Sequence, residues 1–350
     1  MMRRYDYLDI AKGLGIIAVV WAHILVVGWS HRLIYAFHMP LFFFLSGMLF
    51  DRRKYSSFGG FLLKRGKRLL VPYVIYSVVT WAIWALFRYL RHDQVASYIA
   101  PLLQTFVAQG SGAFLVHNSA LWFIPCLFAV EVMYFFISKL PEWANALVCF
   151  LLCAASFVFG HIWGDGWWFL LPFNFDAAMV ALPFYCVGDL LSRHFSHEQL
   201  VQQVFRRKHD TLLLWLFLTA VLYWTSMRFG EGSMGSSSYH CAGWIFVLRA
   251  FVGIAAMLCF ALLASSFQNK GRVIGNADRF VRWQGRYSLD VMCLHIPVKG
   301  VAILLVAKAL SSTSDGVSAD FWMSMAAFVV TIAVVSVIIL CINRFLRSDK

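Results

Sequence analysis

The chain has 350 residues, of which 61% are hydrophobic and 13% are charged, and its formal net charge is +13. Soluble domains are about 45–50% apolar and about 25% charged, so this composition excludes an ordinary soluble domain. Since one membrane-spanning helix takes about 20 apolar residues, roughly ten such helices would use most of the chain. We therefore expect an all-α polytopic integral membrane protein, with a single domain over 1–350 and no separate soluble domain.

About ten apolar runs follow one another along the chain, each long enough to cross a bilayer. They lie at about 8–28, 33–50, 69–90, 121–137, 143–160, 177–191, 211–227, 244–265, 287–310 and 321–342. The first run follows two arginines, as in a signal peptide, but Asp9 and Lys12 interrupt it and no small-x-small cleavage pattern follows. We therefore expect a retained first span.

A basic segment at about 52–70 lies between the second and third runs. There phenylalanine and leucine alternate with lysine and arginine, which is typical of an amphipathic helix in the membrane interface. Pro72 stands where this segment turns into the third run. The residues at about 193–210 and the stretch before the ninth run are read as polar, basic connections.

Lysine and arginine are concentrated in alternate connections. One side of the predicted bundle carries Arg52–Lys54 and further basic blocks, whereas the opposite connections carry little beyond Arg32 and Arg91. Because lysine and arginine favour cytoplasmic loops, both termini are expected in the cytoplasm. The surplus charge therefore reflects topology, with no nucleic-acid partner, and its basic segments would meet membrane lipids.

The 8 cysteines lie almost all in apolar runs, and none forms a C-x-x-C pair. We interpret them as small buried hydrophobes, not as disulfide partners or metal ligands, and expect no metal site. The sequence also contains no Walker loop, G-x-S-x-G, HExxH or glycine-rich dinucleotide fingerprint.

The first span carries the leading candidate site. At about 100° per residue, Asp9, Lys12 and His23 share one narrow helix face, with His23 about 21 Å beyond Asp9. An ionisable residue in a membrane helix is costly and faces the protein interior or a cavity. The alternative is a helix-capping Asp9–Lys12 pair and a histidine satisfied by a neighbouring carbonyl.

His38 stands two residues before Pro40 in the second span. Proline lacks an N–H and clashes with the carbonyl four residues back, here that of Ala36, so a helix start or kink is expected beside His38. His38 would then be either a site residue or a partner for the carbonyls that the kink frees. Ser46 and Gly47 would at least permit close helix packing.

Other charged residues are open to two interpretations. Arg65 and Arg68 could bind anionic lipid or clamp the phosphates of a cofactor, since guanidinium binds phosphate bidentately. Glu131, Asp290 and His295 lie inside apolar runs. The two acids could orient a histidine or form structural pairs.

The same segments resemble a known family, the membrane-bound acyltransferase family 3, and most closely its fucose 4-O-acetylase-like branch. The resemblance covers essentially the whole chain. It rests on D-x-x-K-G at Asp9–Gly13, His23, FHMPLFFFLSG at Phe37–Gly47, R-x-x-R at Arg65 and Arg68 followed by LLVPY, LWF at Leu121–Phe123, LPFYCVG at Leu182–Gly188, and YSL…LH ending at His295.

The resemblance implies an O-acetyltransferase of the bacterial cytoplasmic (inner) membrane. Such an enzyme moves acetyl from cytoplasmic acetyl-CoA to a hydroxyl of a glycan or lipid-linked sugar, beside envelope-polysaccharide assembly proteins. A hydroxyl attacking a thioester needs a base with a pKa near neutrality, for which histidine is the usual choice. The implied roles are catalysis for His23, His38 and Asp9, CoA binding for Arg65, Arg68 and Lys12, and orientation for Ser46, Trp122, Glu131, Asp290 and His295.

One difficulty accompanies this interpretation. If His23 lies well outside the membrane midplane, the pantetheine arm must reach deep into the bundle or the acceptor must descend to meet it. The competing hypotheses are a proton-coupled transporter or exporter of a polysaccharide or small anion, and a structural subunit of a glycan assembly. Against transport, the two halves carry no matching pair of Gly/Pro-broken segments. The acceptor sugar, succinyl in place of acetyl, a covalent intermediate and the oligomeric state are left open.

Overall fold

A computed structural model describes residues 5–25, 28–110, 114–163, 172–239, 243–267, 271–310 and 317–348. Within these ranges the chain is almost entirely helical. The α-helices are α1 Asp6–Ile24, α2 Trp29–Tyr35, α3 His38–Gly47, α4 Phe58–Leu90, α5 Ala100–Gln104, α6 Phe123–Ile137, α7 Glu142–Trp163, α8 Phe175–His194, α9 His197–Arg206, α10 Lys208–Arg228, α11 Gly243–Ser266, α12 Arg272–Arg286, α13 Ser288–Leu310 and α14 Val317–Ser348. Short 3₁₀ turns occur at Arg52–Lys54, Ser119–Trp122 and Pro172–Asn174.

The described residues include one small antiparallel hairpin. Strand β1, Gly232–Ser233, pairs with β2, Ser238–Tyr239, so that Gly232 lies opposite Tyr239. In the chain the hairpin lies between α10 and α11, at the far end of α10 from the basic residues at 206–208.

Nine helices of the described chain are long and apolar enough to cross a membrane. They coincide with nine of the ten predicted spans, which confirms an all-α multi-pass membrane protein. The helices of the first, fourth and sixth spans are largely buried and form the centre of the bundle, whereas α10 is largely exposed to its surroundings. Apolar side chains on such an exposed helix face lipid.

The second predicted span is not one helix. It is divided into α2 and α3, with the break at Ala36 and Phe37. The expected break beside His38 is thus confirmed. Pro40 causes it, because proline provides no N–H for a hydrogen bond to the preceding turn, and a new helix therefore begins just before it. The His38 Nδ1 atom lies 2.9 Å from the Ile34 carbonyl oxygen, which also accepts from the Phe37 N–H at 3.1 Å at the break.

The basic segment at 52–70 was predicted to be an interfacial helix that precedes the third span. This prediction is wrong, because most of the segment is the beginning of α4. After the turn at Arg52–Lys54, Ser57 caps α4 by accepting a hydrogen bond from the Gly60 N–H at 3.1 Å. Helix α4 then runs for 33 residues through Pro72 without ending. At about 1.5 Å per residue it is about 50 Å long, so its basic first turns extend beyond a hydrocarbon core of about 30 Å.

Two stretches read as basic connections are amphipathic helices. Helix α9 begins with a capping box between Ser196 and Gln199. Helix α12 packs against α1 at two glycines: a Cβ on Gly13 would lie 2.0 Å from the Val281 carbonyl oxygen, and one on Gly285 would lie 1.9 Å from that of Asp9. Only glycine permits this contact, which fixes the N-terminal half of α1.

A second close crossing holds α3 against α8. A Cβ on Gly47 would lie 2.0 Å from the Tyr185 carbonyl oxygen, and one on Gly188 would lie 2.2 Å from that of Phe44. Gly47 therefore has the packing role expected of it, and the crossing positions the helix that carries His38.

Candidate functional site

His23 and His38 meet in one cavity of about 130 Å³. We call it the histidine cavity. Helix α1 contributes Val19 and His23 to its wall, and the turn before α6 contributes Trp122. The remaining lining side chains and backbone belong to Tyr35, His38, Met39, Pro40, Gly110, Ser119, Ala120, Gly232, Ser233, Met234, Gly235, Ser236 and Met292.

His23 is in contact with a second histidine from the far end of the chain. The Nε2 atom of His295 lies 3.4 Å from the Nδ1 atom of His23, and the ring centroids are 5.0 Å apart. His295 is fully buried. Its own Nδ1 atom faces the carbonyl oxygens of Val291 at 3.1 Å and Met292 at 2.8 Å.

These contacts assign the proton positions on both rings. A carbonyl oxygen only accepts, so the His295 Nδ1 atom carries a hydrogen, and in the neutral imidazole its Nε2 atom is then an acceptor. The Nδ1 atom of His23 then faces two acceptors, that Nε2 atom and the Val19 carbonyl oxygen at 2.9 Å, and so it carries the hydrogen. The Nε2 atom of His23 is left with the lone pair that a general base needs.

Lys299 fixes the end of α1 beside His23. Its Nζ atom donates to the His23 carbonyl oxygen at 2.9 Å. This carbonyl belongs to the last turn of α1, where no helical donor remains, and a cation there also suits the helix dipole. His23 is therefore tied to α13 at two points, by His295 at its ring and by Lys299 at its backbone.

His38 stands at the end of a row of contacts that leads into the cavity from the hairpin side. Glu231 pairs with the His31 Nδ1 atom at 3.3 Å, and the His31 ring stacks on Tyr35 with centroids 4.0 Å apart. Tyr35 in turn lies 4.8 Å from the His38 ring. Since the His38 Nδ1 atom donates to Ile34, its Nε2 atom is likewise left as an acceptor.

Trp122 lines the same cavity and packs closely against two glycines. A Cβ on Gly110 would lie 2.8 Å from the indole Cγ atom, and one on Gly235 would lie 2.6 Å from its Nε1 atom. Asn174 ties both loops together, accepting from the Gly110 N–H at 2.6 Å and donating to the Gly235 carbonyl at 3.0 Å. The indole is thereby held in a fixed orientation.

A second cavity of about 250 Å³ lies towards the basic end of the bundle. We call it the basic cavity. Five cations line it, with Asp51 and the hydroxyls of Ser46, Tyr55, Tyr185 and Ser288 among the other polar groups. The cations are Lys12, Lys54, Lys64, Arg65 and Arg68. The three predicted cofactor-binding residues and Ser46 are thus brought together in one place.

Arg65 and Arg68 are not equivalent. Arg65 donates through Nε and Nη2 to both carboxylate oxygens of Glu131, whose side chain is 1% exposed. Glu131, which has no cation near it in the sequence, therefore has its partner on α4. Arg68 is exposed towards the cavity. The geometry gives Arg65 a structural duty and leaves Arg68 as the more available phosphate ligand.

The remaining acids pair across helix contacts. The Oδ2 atom of Asp9 lies 3.1 Å from the Arg286 Nε atom where α1 meets α12. Tyr76 of α4 donates to the Asp290 Oδ1 atom at 2.7 Å. Asp9 is about 21 Å from His23 along α1, so the two side chains do not act on the same atom. Of the two roles left open for Asp290, orienting a histidine or structural pairing, the contact with Tyr76 favours structural pairing.

The two cavities are stacked along the same four chain segments, which are α1, α3, the turn before α6 with the start of α6, and α13. Helix α1 contributes Ile16 to the basic cavity and Val19 to the histidine cavity, which are about 4.5 Å apart along the axis. The turn before α6 gives the neighbours Phe123 and Trp122 to the two cavities in the same order. Across the described ranges, Met292 is the one residue that lines both.

A third cavity, of about 650 Å³, adjoins the basic cavity and was not foreseen from the sequence. The two share the rim of Leu49, Phe50, Asp51 and Lys54. The third cavity is also lined by Arg52, Arg53, Arg193 and His197. Burial lowers the pKa of the His197 imidazole, so this side chain is neutral at pH 7. The arginines at 52–53 were the sequence signal for this cavity, but the excess of basic residues on one side of a membrane protein explains their position equally well.

The fold is that of a multi-pass membrane protein with a histidine-lined cavity stacked on a cationic one. The chain matches the family described as Acyltransferase domain, the acyltransferase 3 family, over residues 5–342. It therefore belongs to that family and is a membrane acyltransferase. A search of curated proteins and a search of solved structures each found no match.

Proposed function

We propose that this acyltransferase transfers an acetyl group from cytoplasmic acetyl-CoA to a hydroxyl of a cell-envelope or exported glycan, as the fucose 4-O-acetylase-like branch does. The observation that carries the proposal is the stacking of the basic cavity on the histidine cavity with a single shared side chain between them. A donor that enters from one face and an acceptor that enters from the other would meet beside His23. We place the protein in the bacterial inner membrane, with the basic cavity open to the cytoplasm.

The donor half of the site is electrostatic. CoA carries several phosphate charges, and lysine and arginine side chains bind phosphate by charge-assisted hydrogen bonds. Arg68, Lys12 and Lys64 line the basic cavity from two different helices, so phosphates at its mouth would contact cations on two sides. Ser46 lines the same cavity from α3 and would orient the pantetheine arm or the thioester.

The acceptor half is the histidine cavity. The flat face of Trp122 suits the apolar face of a sugar ring, and the Nε2 atoms of His23 and His38 are acceptors for its hydroxyls. In the transfer step His23 takes the hydroxyl proton as the oxygen attacks the thioester carbonyl carbon. The carbon–sulfur bond breaks, and the CoA thiolate takes up the proton from His23.

The stacking also supports the proposal against the difficulty raised by the depth of His23. Met292, one helical turn from His295, lines both cavities. A thioester that reaches Met292 from the basic cavity would therefore lie at the edge of the histidine cavity. The reacting groups are therefore separated by one side chain and not by half a membrane.

The test is transfer of labelled acetyl from acetyl-CoA by protein purified in detergent, with hexoses and amino sugars offered as 4-nitrophenyl glycosides. Wild type is expected to label at least one glycoside and His23→Ala to label none, at equal abundance and thermal stability. His209→Ala is the matched control, because His209 is an exposed histidine at the start of α10. Full activity of His23→Ala would show that another group is the base.

The broken α2–α3 pair also favours transport, since discontinuous helices often form transporter binding sites. A transporter of polysaccharide or small anions would move its cargo across proteoliposomes without consuming acetyl-CoA. Transport that is independent of acetyl-CoA, together with no acetyl transfer, would favour that alternative.

A further inference from the structure

Met292 separates the two cavities. It lies on α13, one turn from Leu289 in the basic cavity and one turn before His295. The residue is 4% exposed, and its carbonyl oxygen accepts from the His295 Nδ1 atom at 2.8 Å. Its backbone is thus fixed while its side chain is bordered by space on both sides.

Phe42 and Phe123, which line the basic cavity together with Met292, carry rigid aromatic rings. Phe123 packs against Phe43 with centroids 4.9 Å apart and against Phe42 at 6.0 Å. Phe42 is further confined by α1, because a Cβ on Gly15 would lie 3.2 Å from its Cζ atom. Methionine, by contrast, is unbranched with three rotatable bonds and adapts its shape to what lies beside it.

We propose that Met292 is the specificity-determining residue for the acyl group, and that its side chain limits the length of the chain that can be transferred. This inference rests on the proposed acyl transfer. The acyl carbonyl must reach the boundary of the histidine cavity, so the acyl chain beyond it occupies the space next to the Met292 thioether. An acetyl methyl group fits beside that side chain, whereas a longer chain must displace it against the aromatic rings.

The size of the expected effect follows from the atoms removed. Met292→Ala deletes the γ-methylene, the sulfur and the terminal methyl group, which is space enough for the ethylene unit by which butyryl exceeds acetyl. Discrimination of one methylene in an apolar pocket is typically about 10–200-fold. The ratio of kcat/KM for butyryl-CoA to that for acetyl-CoA should therefore rise at least about 10-fold in Met292→Ala.

The experiment measures release of free CoA from acetyl-, propionyl- and butyryl-CoA by the purified full chain, with the glycoside that wild type acetylates. Met292→Leu conserves volume and should retain the wild-type preference. Met292→Phe fills the space and should lower the propionyl-to-acetyl ratio. Leu294→Ala is the control for a core truncation on the same helix, since Leu294 is buried but lines neither cavity, and it should leave the ratios unchanged.

An unchanged chain-length ratio in both Met292→Ala and Met292→Phe would overturn the inference. If Met292→Ala does not fold, Met292→Val makes a smaller truncation and carries the same expectation for propionyl-CoA. Failure of wild type with every acyl-CoA would instead count against the proposed acyl transfer. A wild type that transfers acetyl but shows the same ratios as its Met292 variants would count against the role of Met292 alone.

Discussion

The ion pair between Arg65 and Glu131 gives the sharpest prediction about the basic cavity. The Glu131 side chain is 1% exposed and that of Arg65 is 16% exposed, so neither charge is well solvated. Removing one member leaves the other charge buried without compensation, which typically costs about 3–5 kcal/mol of stability. Arg65→Gln and Glu131→Gln should each lower the free energy of unfolding by about that amount.

The double variant Arg65→Gln/Glu131→Gln should be more stable than either single variant, because it removes both charges together. The difference from additivity measures the coupling of the pair and is expected to be about 3 kcal/mol or more. Arg68→Gln provides the contrast. It should leave stability within about 0.5 kcal/mol of wild type while it raises the KM for acetyl-CoA.

The assay is thermal unfolding in detergent followed by a thiol-reactive dye. The protein suits this method because its described free cysteines include several that are buried and become reactive on unfolding, namely Cys126, Cys149, Cys153, Cys186 and Cys293. If Arg65→Gln leaves the unfolding midpoint unchanged and raises the KM as much as Arg68→Gln does, Arg65 is a phosphate ligand and the structural assignment is wrong.

Three further predictions concern the histidine cavity and its support. His295→Leu should lower kcat by about 10²-fold with little change in KM, because the His23 ring loses the contact that orients it. His295→Asn supplies a hydrogen-bond acceptor and should restore part of the rate. An equal loss of kcat in both variants at unchanged folding would contradict this role of His295. Trp122→Ala should raise the KM for the glycoside and not for acetyl-CoA, whereas Trp122→Phe should stay near wild type, and a change in the acetyl-CoA KM would show that Trp122 serves the donor instead. Gly47→Ala should destabilise the protein by about 1–3 kcal/mol in the dye assay, since its Cβ would meet the Tyr185 carbonyl oxygen, and a wild-type midpoint would refute the close crossing of α3 and α8.

Properties that depend on local sequence were predictable. The apolar runs located nine single-helix spans, because a bilayer sets their length regardless of their neighbours. Pro40 predicted the break beside His38 for an equally local reason. The expectation that His23 borders a cavity also follows from one residue and its surroundings, since an ionisable side chain within a membrane helix needs a polar contact.

Contacts between distant segments were not predictable in the same way. Helical phase placed Asp9 and His23 on one face of α1, but phase does not say which helix packs there. Arg286 lies 277 residues from Asp9, and His295 lies 272 residues from His23. Such partners are chosen by tertiary packing, here by the glycine contact of α1 with α12 and by the Lys299 bond to α1.

Helix α12 was missed for a different reason. Its arginines lowered the mean hydropathy of the segment, so it was read as a connection, although the apolar residues Val273, Ile274 and Phe280 recur among them. A helix that lies in the interface has this mixed composition. The amphipathic pattern was present and could have been used.

The central claim, that donor and acceptor enter from opposite ends of one stacked pair of cavities, is tested most directly by sidedness. Protein in proteoliposomes of known orientation would receive labelled acetyl-CoA only on the face that carries Arg68 and the glycoside only on the other face. The stacked cavities predict that label appears on the glycoside across the sealed membrane, and that exchanging the two compartments abolishes it. Transfer that occurs only when both substrates share one face would contradict the claim.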